Sequence, residues 1–200
     1  MCKILNITEQ NEHLETTVQT ALDNFSLAAL LTGLLAEYEV ANLGPPKATV
    51  HLQGQNPRLD KIIPGENCGF FVTPVFQMAA LDCRRSLEFF GLKCDYKNKR
   101  LTPIINRHFG DLGIESFGLP RVTRDQFLKI VPAEIVKQIE SILVEIHFWS
   151  NKRLAHFTVS EQDMKLSPIH DSSIVMIRAY LTFLFDALGR PRPHIQPSDD

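Results

Sequence analysis

Two segments in the second half of the chain repeat apolar residues every three or four positions, and this spacing restricts the possible fold more than any other feature. In residues 132–149 the stripe contains Ile135, Ile139, Ile142, Ile146 and Trp149, widened by Val136, Leu143 and Phe148. In residues 171–188 it contains Ile174, Ile177, Leu181, Leu184 and Leu188. Such spacing is typical of amphipathic helices, which must bury their apolar stripes against one another. Asp171, Ser172 and Ser173 are predicted N-caps of the last helix.

Two further helices are predicted in the first half of the chain, over residues 11–42 and 67–91. The first ends before Gly44, and Gly91 is a suitable C-terminal cap for the second. Within the first, Leu27–Ala36 is apolar nearly all round, which predicts burial on several sides; a small-molecule pocket is the alternative use. This run is only about half as long as a membrane span, so no membrane segment is expected.

The segments between these helices are rich in proline and glycine. Ala48, Val50 and Leu52 alternate with polar residues, so one short hairpin with residues 58–63 is possible, and a solvated loop is the alternative. Residues 92–131 show no clear period. The sequence therefore predicts an all-α fold, a four- to five-helix bundle with an irregular loop-rich middle and room for one short β-hairpin. Residues 1–189 form a single domain, and the proline-rich tail 190–200 is predicted to be disordered.

Charge and cysteine content indicate a cytoplasmic protein. The net charge of the 200 residues is −2, so the whole surface is not built to bind nucleic acid. Residues 92–131 nevertheless carry eight Lys and Arg against four Asp and Glu, an excess that suits phosphate attraction or simple solubility. The four cysteines form no C-x-x-C pair and are predicted to be thiols in a reducing compartment.

No metal or cofactor is expected. The chain contains no phosphate-cradling Gly-rich loop and no H-E-x-x-H motif. His147 and His156 lie nine residues apart without an obvious third ligand.

The most unusual stretch is Glu145–Thr158, at the end of the helix predicted over 132–149. It holds the only Trp, two of the seven His and the triplet Asn151-Lys152-Arg153. Cations at a helix end can serve merely to complement the last carbonyls, and this is the simplest interpretation of Lys152, Arg153 and His156.

Asn151, Lys152, Ala155 and His156 also match a motif. They resemble the abortive-infection-type branch of the HEPN superfamily, in which a helix ends in Arg-Asn-Lys, two residues, and Ala-His. The resemblance covers about residues 70–188. It implies a helical bundle that works in bacterial defence, in toxin–antitoxin pairs or in RNA processing.

The resemblance further implies a metal-independent endoribonuclease that uses the 2′-hydroxyl of the RNA as nucleophile. His156 would be the catalytic proton carrier, and Asn151, Lys152 and Arg153 would bind RNA or its phosphates. It also implies a homodimer in which the two motifs meet, acting on RNA or on a partner protein encoded nearby.

The sequence departs from the family pattern at one position, because Ser150 stands where the pattern has its Arg. Arg153 falls outside the required spacing. Arg84 or Arg85 could replace the missing cation only if the fold brings one of them near the motif; otherwise they are ordinary surface residues. The missing Arg favours the alternative function, a non-catalytic dimeric interaction module without enzymatic activity.

Overall fold

The computed structural model describes residues 4–40, 49–52, 61–64, 69–108, 110–151 and 166–193. This part of the chain is mostly helical, as the sequence predicts. Its helices are α1 (Ile7–His13), α2 (Gln19–Val40), α3 (Gly69–Phe90), α4 (Arg124–Lys129), α5 (Ile139–Trp149) and α6 (Leu166–Tyr180). A π-helical turn, Leu14–Val18, joins α1 to α2, a second, Leu181–Asp186, extends α6, and a 3-10 turn spans Ile114–Phe117.

Two antiparallel hairpins interrupt the helices. The first hairpin, one of the two alternatives for its segment, is β1 (Thr49–Leu52) and β2 (Lys61–Pro64), with Thr49 opposite Pro64. A second hairpin, β3 (Leu92–Asp95) and β4 (Arg100–Pro103), occupies the part that was predicted to be irregular. Its turn is closed by Asp95, whose Oδ1 accepts the backbone N–H groups of Lys97 and Asn98 at 3.1 and 3.2 Å.

The four long helices enclose one apolar core. α2 packs against α3 and α6, and α5 packs against the same two helices. The side chains in the centre are fully buried: Phe25, Leu87, Phe90, Leu143 and Leu184. Each large apolar side chain taken out of water stabilises the fold by about 1.5–3 kcal/mol.

The buried faces of α5 and α6 differ from the predicted stripes. α5 begins at Ile139 instead of 132, and Val136 and Phe148 are 37% and 44% exposed. On α6, Val175, Met176 and Ala179 are buried, while Ile174 and Ile177 are only half-buried. The reason is that α6 contacts α2, α3 and α5, so its buried face is turned toward the space between several helices.

Two helix starts also differ from the prediction. α1 begins earlier, at Ile7, because Asn6 caps it: its Oδ1 accepts the N–H of Glu9 at 2.9 Å. α6 already includes Leu166, so the prediction of Asp171, Ser172 and Ser173 as N-caps is wrong. Gly91, with a φ of 92°, ends α3 as predicted.

One face of α2 is exposed, contrary to the predicted burial on several sides. Leu27, Leu30 and Leu34 are 44%, 41% and 45% exposed, whereas Phe25 and Ala28 are fully buried. By length and composition alone, residues 7–36 would also pass for a membrane span. Core helices of soluble proteins pass the same test, so this is weak evidence for a membrane.

The loop after β4 is fixed by a carboxylate between two arginines. Glu115 contacts Arg121 and accepts from Arg107 Nε at 3.3 Å, and Arg107 Nη2 also donates to the Phe89 carbonyl at 2.9 Å. Partial burial alone would raise the pKa of Glu115, but its own backbone amide and the two guanidinium groups outweigh that effect and lower it. A Cβ at Gly113 would come within 2.6 Å of the Arg107 guanidinium carbon, so the site leaves no space there.

We expect Glu115→Gln to reduce the free energy of unfolding by about 2 kcal/mol, because it leaves two arginines without their counter-charge. Urea denaturation at pH 7 measures this. Asp125→Asn, whose side chain is 84% exposed in the wild type, is the control and should change little. The wild type should lose this contribution as the pH falls below about 4.3 and through the lowered folded pKa, and the variant should not. Equal stability of the two variants at pH 7 would contradict the role of Glu115.

Candidate functional site

Of the predicted site residues, the structure describes only Asn151. Lys152, Arg153 and His156 lie outside the described residues, so their predicted roles stay predictions. Asn151 follows directly on α5, at the start of the matched motif.

Ser150, the residue at the position of the family's Arg, faces the interior. It is fully buried, and its Oγ donates to the His147 carbonyl at 2.9 Å. A guanidinium at this position would be removed from water, at a cost of several kcal/mol that only a buried counter-charge could offset. The packing of α5 therefore explains why a small hydroxyl residue suits position 150.

Arg84 reaches the motif from α3. Its Nη1 donates to Asn151 Oδ1 at 3.2 Å, and its Nε donates to Glu88 Oε1, also at 3.2 Å. These two bonds hold a guanidinium at the first matched residue, and the side chain keeps 31% of its surface exposed. Arg85 instead pairs with Asp82 at 3.4 Å and is 69% exposed. The fold thus brings the first of the two arginines, and not the second, to the motif.

A line of polar side chains leads from Arg84 into the core. Asn151 interacts with Tyr96 and acts to lower the pKa of its hydroxyl. The hydroxyl in turn lies 2.6 Å from His147 Nδ1. Because the Asn151 oxygen accepts from Arg84, its amide nitrogen is the group that can face the Tyr96 oxygen. Three elements are joined in this way: α3, the turn after β3, and the end of α5.

The environment keeps His147 neutral. Burial is the largest effect and lowers the pKa of His147. The positive charge of Arg84 lowers this pKa further, whereas the negative charge of Glu88 raises it. A neutral imidazole that accepts at Nδ1 carries its proton on Nε2, which agrees with a proton donated by Tyr96. Burial raises the pKa of Tyr96, and the interaction of its hydroxyl with Asn151 lowers it by a smaller amount. At neutral pH this row of side chains therefore consists of one cation, Arg84, and three uncharged groups: Asn151, Tyr96 and His147.

Arg84 also borders an open groove of about 850 Å³. The charged groups that line it are Arg84, Arg85, Lys93 and Arg107 against Glu88 and Asp111. The groove therefore has a net positive charge, which suits a phosphate backbone. Arg107 has a structural role in the groove, because its guanidinium donates to Glu115 and to the Phe89 carbonyl.

Arg84 and the basic groove beside it have the chemistry to bind an anion directly. Within the described ranges, no three His, Cys, Asp or Glu side chains are grouped so that they could hold a metal ion. Arg84 offers a planar donor group at the junction of the groove and the motif, a geometry suited to phosphate oxygens.

Two members of the site were not predicted from the sequence. Tyr96 follows a strand that was itself not predicted, and Glu88 looks like any outward residue of a long helix. Tyr96 has no local signal, because 51 residues separate it from its partner His147. Glu88 pairs with Arg84 four residues earlier, a spacing that is ordinary for surface ion pairs on helices.

Replacing Arg84 should change the titration of His147. We expect the His147 imidazole to titrate below the usual value of about 6.5 in the wild type. Arg84→Gln should raise the pKa of His147, because it removes a positive charge that disfavours protonation. Arg85→Gln is the matched control and should leave it nearly unchanged. NMR titration of the imidazole carbons measures this, and an identical His147 pKa in the wild type and Arg84→Gln would refute the coupling.

Comparison with known proteins adds no relative: no family model, no curated protein and no solved structure matches the chain. The resemblance in the sequence therefore rests on the four matched positions, 151, 152, 155 and 156.

Proposed function

We propose that the protein is an RNA-directed, HEPN-like helical protein of a bacterial defence, toxin–antitoxin or RNA-processing system, and that it cleaves RNA without a metal. One observation carries the proposal: Arg84 Nη1 lies 3.2 Å from Asn151, the first residue of the matched motif. This contact supports the proposal that Arg84 takes the place of the guanidinium that the motif lacks in sequence.

Arg84 has the properties that this task requires. Its bonds to Glu88 and Asn151 fix the orientation of the guanidinium before any substrate arrives. Fixed donors stabilise charge that develops on a phosphate without reorganising during the reaction. The basic groove beside Arg84 would hold the RNA backbone, with Arg85 and Lys93 as further cations.

The reaction follows from these groups together with the predicted role of His156. The RNA 2′-hydroxyl attacks the adjacent phosphorus and gives its proton to His156, and the P–O5′ bond breaks. The products are a 2′,3′-cyclic phosphate and a 5′-hydroxyl, and the 5′-oxygen receives its proton from the His156 imidazolium formed by the first transfer. Arg84 neutralises the charge that grows on the phosphate oxygens, and Asn151, Lys152 and Arg153 bind the neighbouring phosphates.

A second candidate function is a non-catalytic dimeric interaction module. The exposed Leu27, Leu30 and Leu34 favour it, since their spacing places them on one stripe of α2. A stripe of this kind suits a helix–helix contact with a second copy or with a partner protein. The homodimer remains part of both proposals.

The test is cleavage of a fluorescent RNA in excess chelator. We expect cleavage by the wild type, a loss of about 100-fold or more in Arg84→Ala, and a loss of at least that size in His156→Ala. Arg84→Lys should recover only part of the rate, because an ammonium lacks the planar fork. Arg178→Ala, which removes an exposed positive charge from α6 outside the groove, is the charge-matched control and should cleave normally.

Different results would separate the candidates. If the wild type cleaves and Arg84→Ala cleaves equally fast, Arg84 is not the missing cation. If the wild type cleaves no RNA, the ribonuclease is excluded. Sedimentation of Leu30→Lys then tests the interaction module, which requires a dimer in the wild type and a monomer in the variant.

A further inference from the structure

An exposed pair of aromatic rings lies beside the Arg84 network. Tyr96, in the turn after β3, is 42% exposed, and Phe148, on α5, is 44% exposed. Their ring centroids are 5.7 Å apart and the planes meet at 81°, an edge-to-face contact. Large aromatic side chains that stay half in water are costly to leave uncovered, so a pair of them next to a polar site points to a ligand.

The pair is held in place before a ligand binds. The Tyr96 hydroxyl lies 2.6 Å from His147 Nδ1. The Tyr96 and His147 rings also pack edge-on, with centroids 5.6 Å apart. Phe148 lies on α5, one residue after His147, and its ring packs edge-on against Tyr96. Rings that cannot rotate freely lose little entropy when a flat ligand stacks on them.

The charge next to the pair indicates what kind of flat ligand it is. Asn151 lies three residues after Phe148, about one helical turn along the end of α5, and its Oδ1 accepts from Arg84 Nη1 at 3.2 Å. One side chain therefore separates the aromatic pair from a fixed cation. A nucleotide presents the same two features, a π-face and a phosphate, about one side chain apart. Proteins that bind single strands combine stacking rings with cations in this way.

We propose that Tyr96 and Phe148 form a subsite that stacks an unpaired base of single-stranded RNA while Arg84 contacts the phosphate of the same or the next nucleotide. The RNA part of this inference rests on the proposed function. The subsite adds a preference: a base inside a duplex is already stacked between its neighbours and cannot reach the rings. Duplex RNA would bind only through the groove.

The experiment measures binding of the full chain to a short RNA by fluorescence anisotropy, with 2′-O-methyl groups to prevent cleavage. The same sequence is tested as a single strand and as a duplex. A single 2-aminopurine is placed at each position in turn, since its fluorescence is quenched when the base stacks on a ring. We expect tighter binding of the single strand and quenching at one position.

The variants identify the rings. Tyr96→Leu and Phe148→Leu should each weaken single-strand binding about tenfold and abolish the quenching. Tyr96→Phe keeps the ring, so its affinity for the single strand should fall much less than that of Tyr96→Leu. Met78→Ala, a change at another apolar residue with 40% exposure, is the control and should bind normally.

Each other outcome overturns the subsite. Equal affinity for strand and duplex would do so, and so would unchanged binding in both Leu variants or an equal loss in Tyr96→Phe and Tyr96→Leu. If Phe148→Leu alters sedimentation but not RNA affinity, the rings belong to a protein interface. A wild type that binds no RNA at all refutes the proposed function as well, whereas binding without cleavage in the earlier assay refutes the ribonuclease and leaves the subsite standing.

Discussion

The burial of the last turn of α5 is the constraint on which the site depends. His147 and Ser150 both point into the protein, and Ser150 has no exposed surface. A charged side chain at that position would lose its hydration, at a cost that only a buried counter-charge could offset. Among the described residues, the packing of α5 against α3 brings a positive charge to Asn151 from a neighbouring helix, as Arg84. The same contact that completes the core therefore places Arg84 beside Asn151.

Arg84 lies between a negative group and a row of uncharged groups. Glu88 accepts from its Nε, and Asn151 accepts from its Nη1. Beyond Asn151 lie Tyr96 and the neutral His147, which contact each other. If His147 were protonated, two positive groups would be close together in a partly buried place, and the lowered pKa prevents this. In the proposed function, a phosphate that approaches Arg84 competes with the two described acceptors of its guanidinium, Asn151 and Glu88. The Glu88 side chain is 43% exposed.

Much of the fold was predictable from the sequence, because helical periodicity and turn residues are local signals. The four long helices and the Gly91 end of α3 were predicted, although the bounds of α5 and α6 differ from the prediction. The hairpin of β1 and β2 was one of two alternatives for its segment. The hairpin of β3 and β4 was missed because each strand has only four residues and its turn contains Lys99 at a φ of 48°, where glycine or asparagine is the usual signal. The exposed face of α2 was missed because periodicity shows which residues are apolar, not how many neighbouring helices are present to cover them.

The site was predictable only in part, for a related reason. A local motif identified the end of α5 and therefore Asn151, but 67 residues separate Asn151 from Arg84 and no spacing rule connects them. The sequence could state the condition, that an arginine must come near the motif, and among the described residues the packing of α3 on α5 brings Arg84 to Asn151. In the proposed reaction the phosphate responds to charge at a point in space, whichever helix carries it. A motif that has lost its arginine along the chain therefore lacks a catalytic cation only if no other helix provides one.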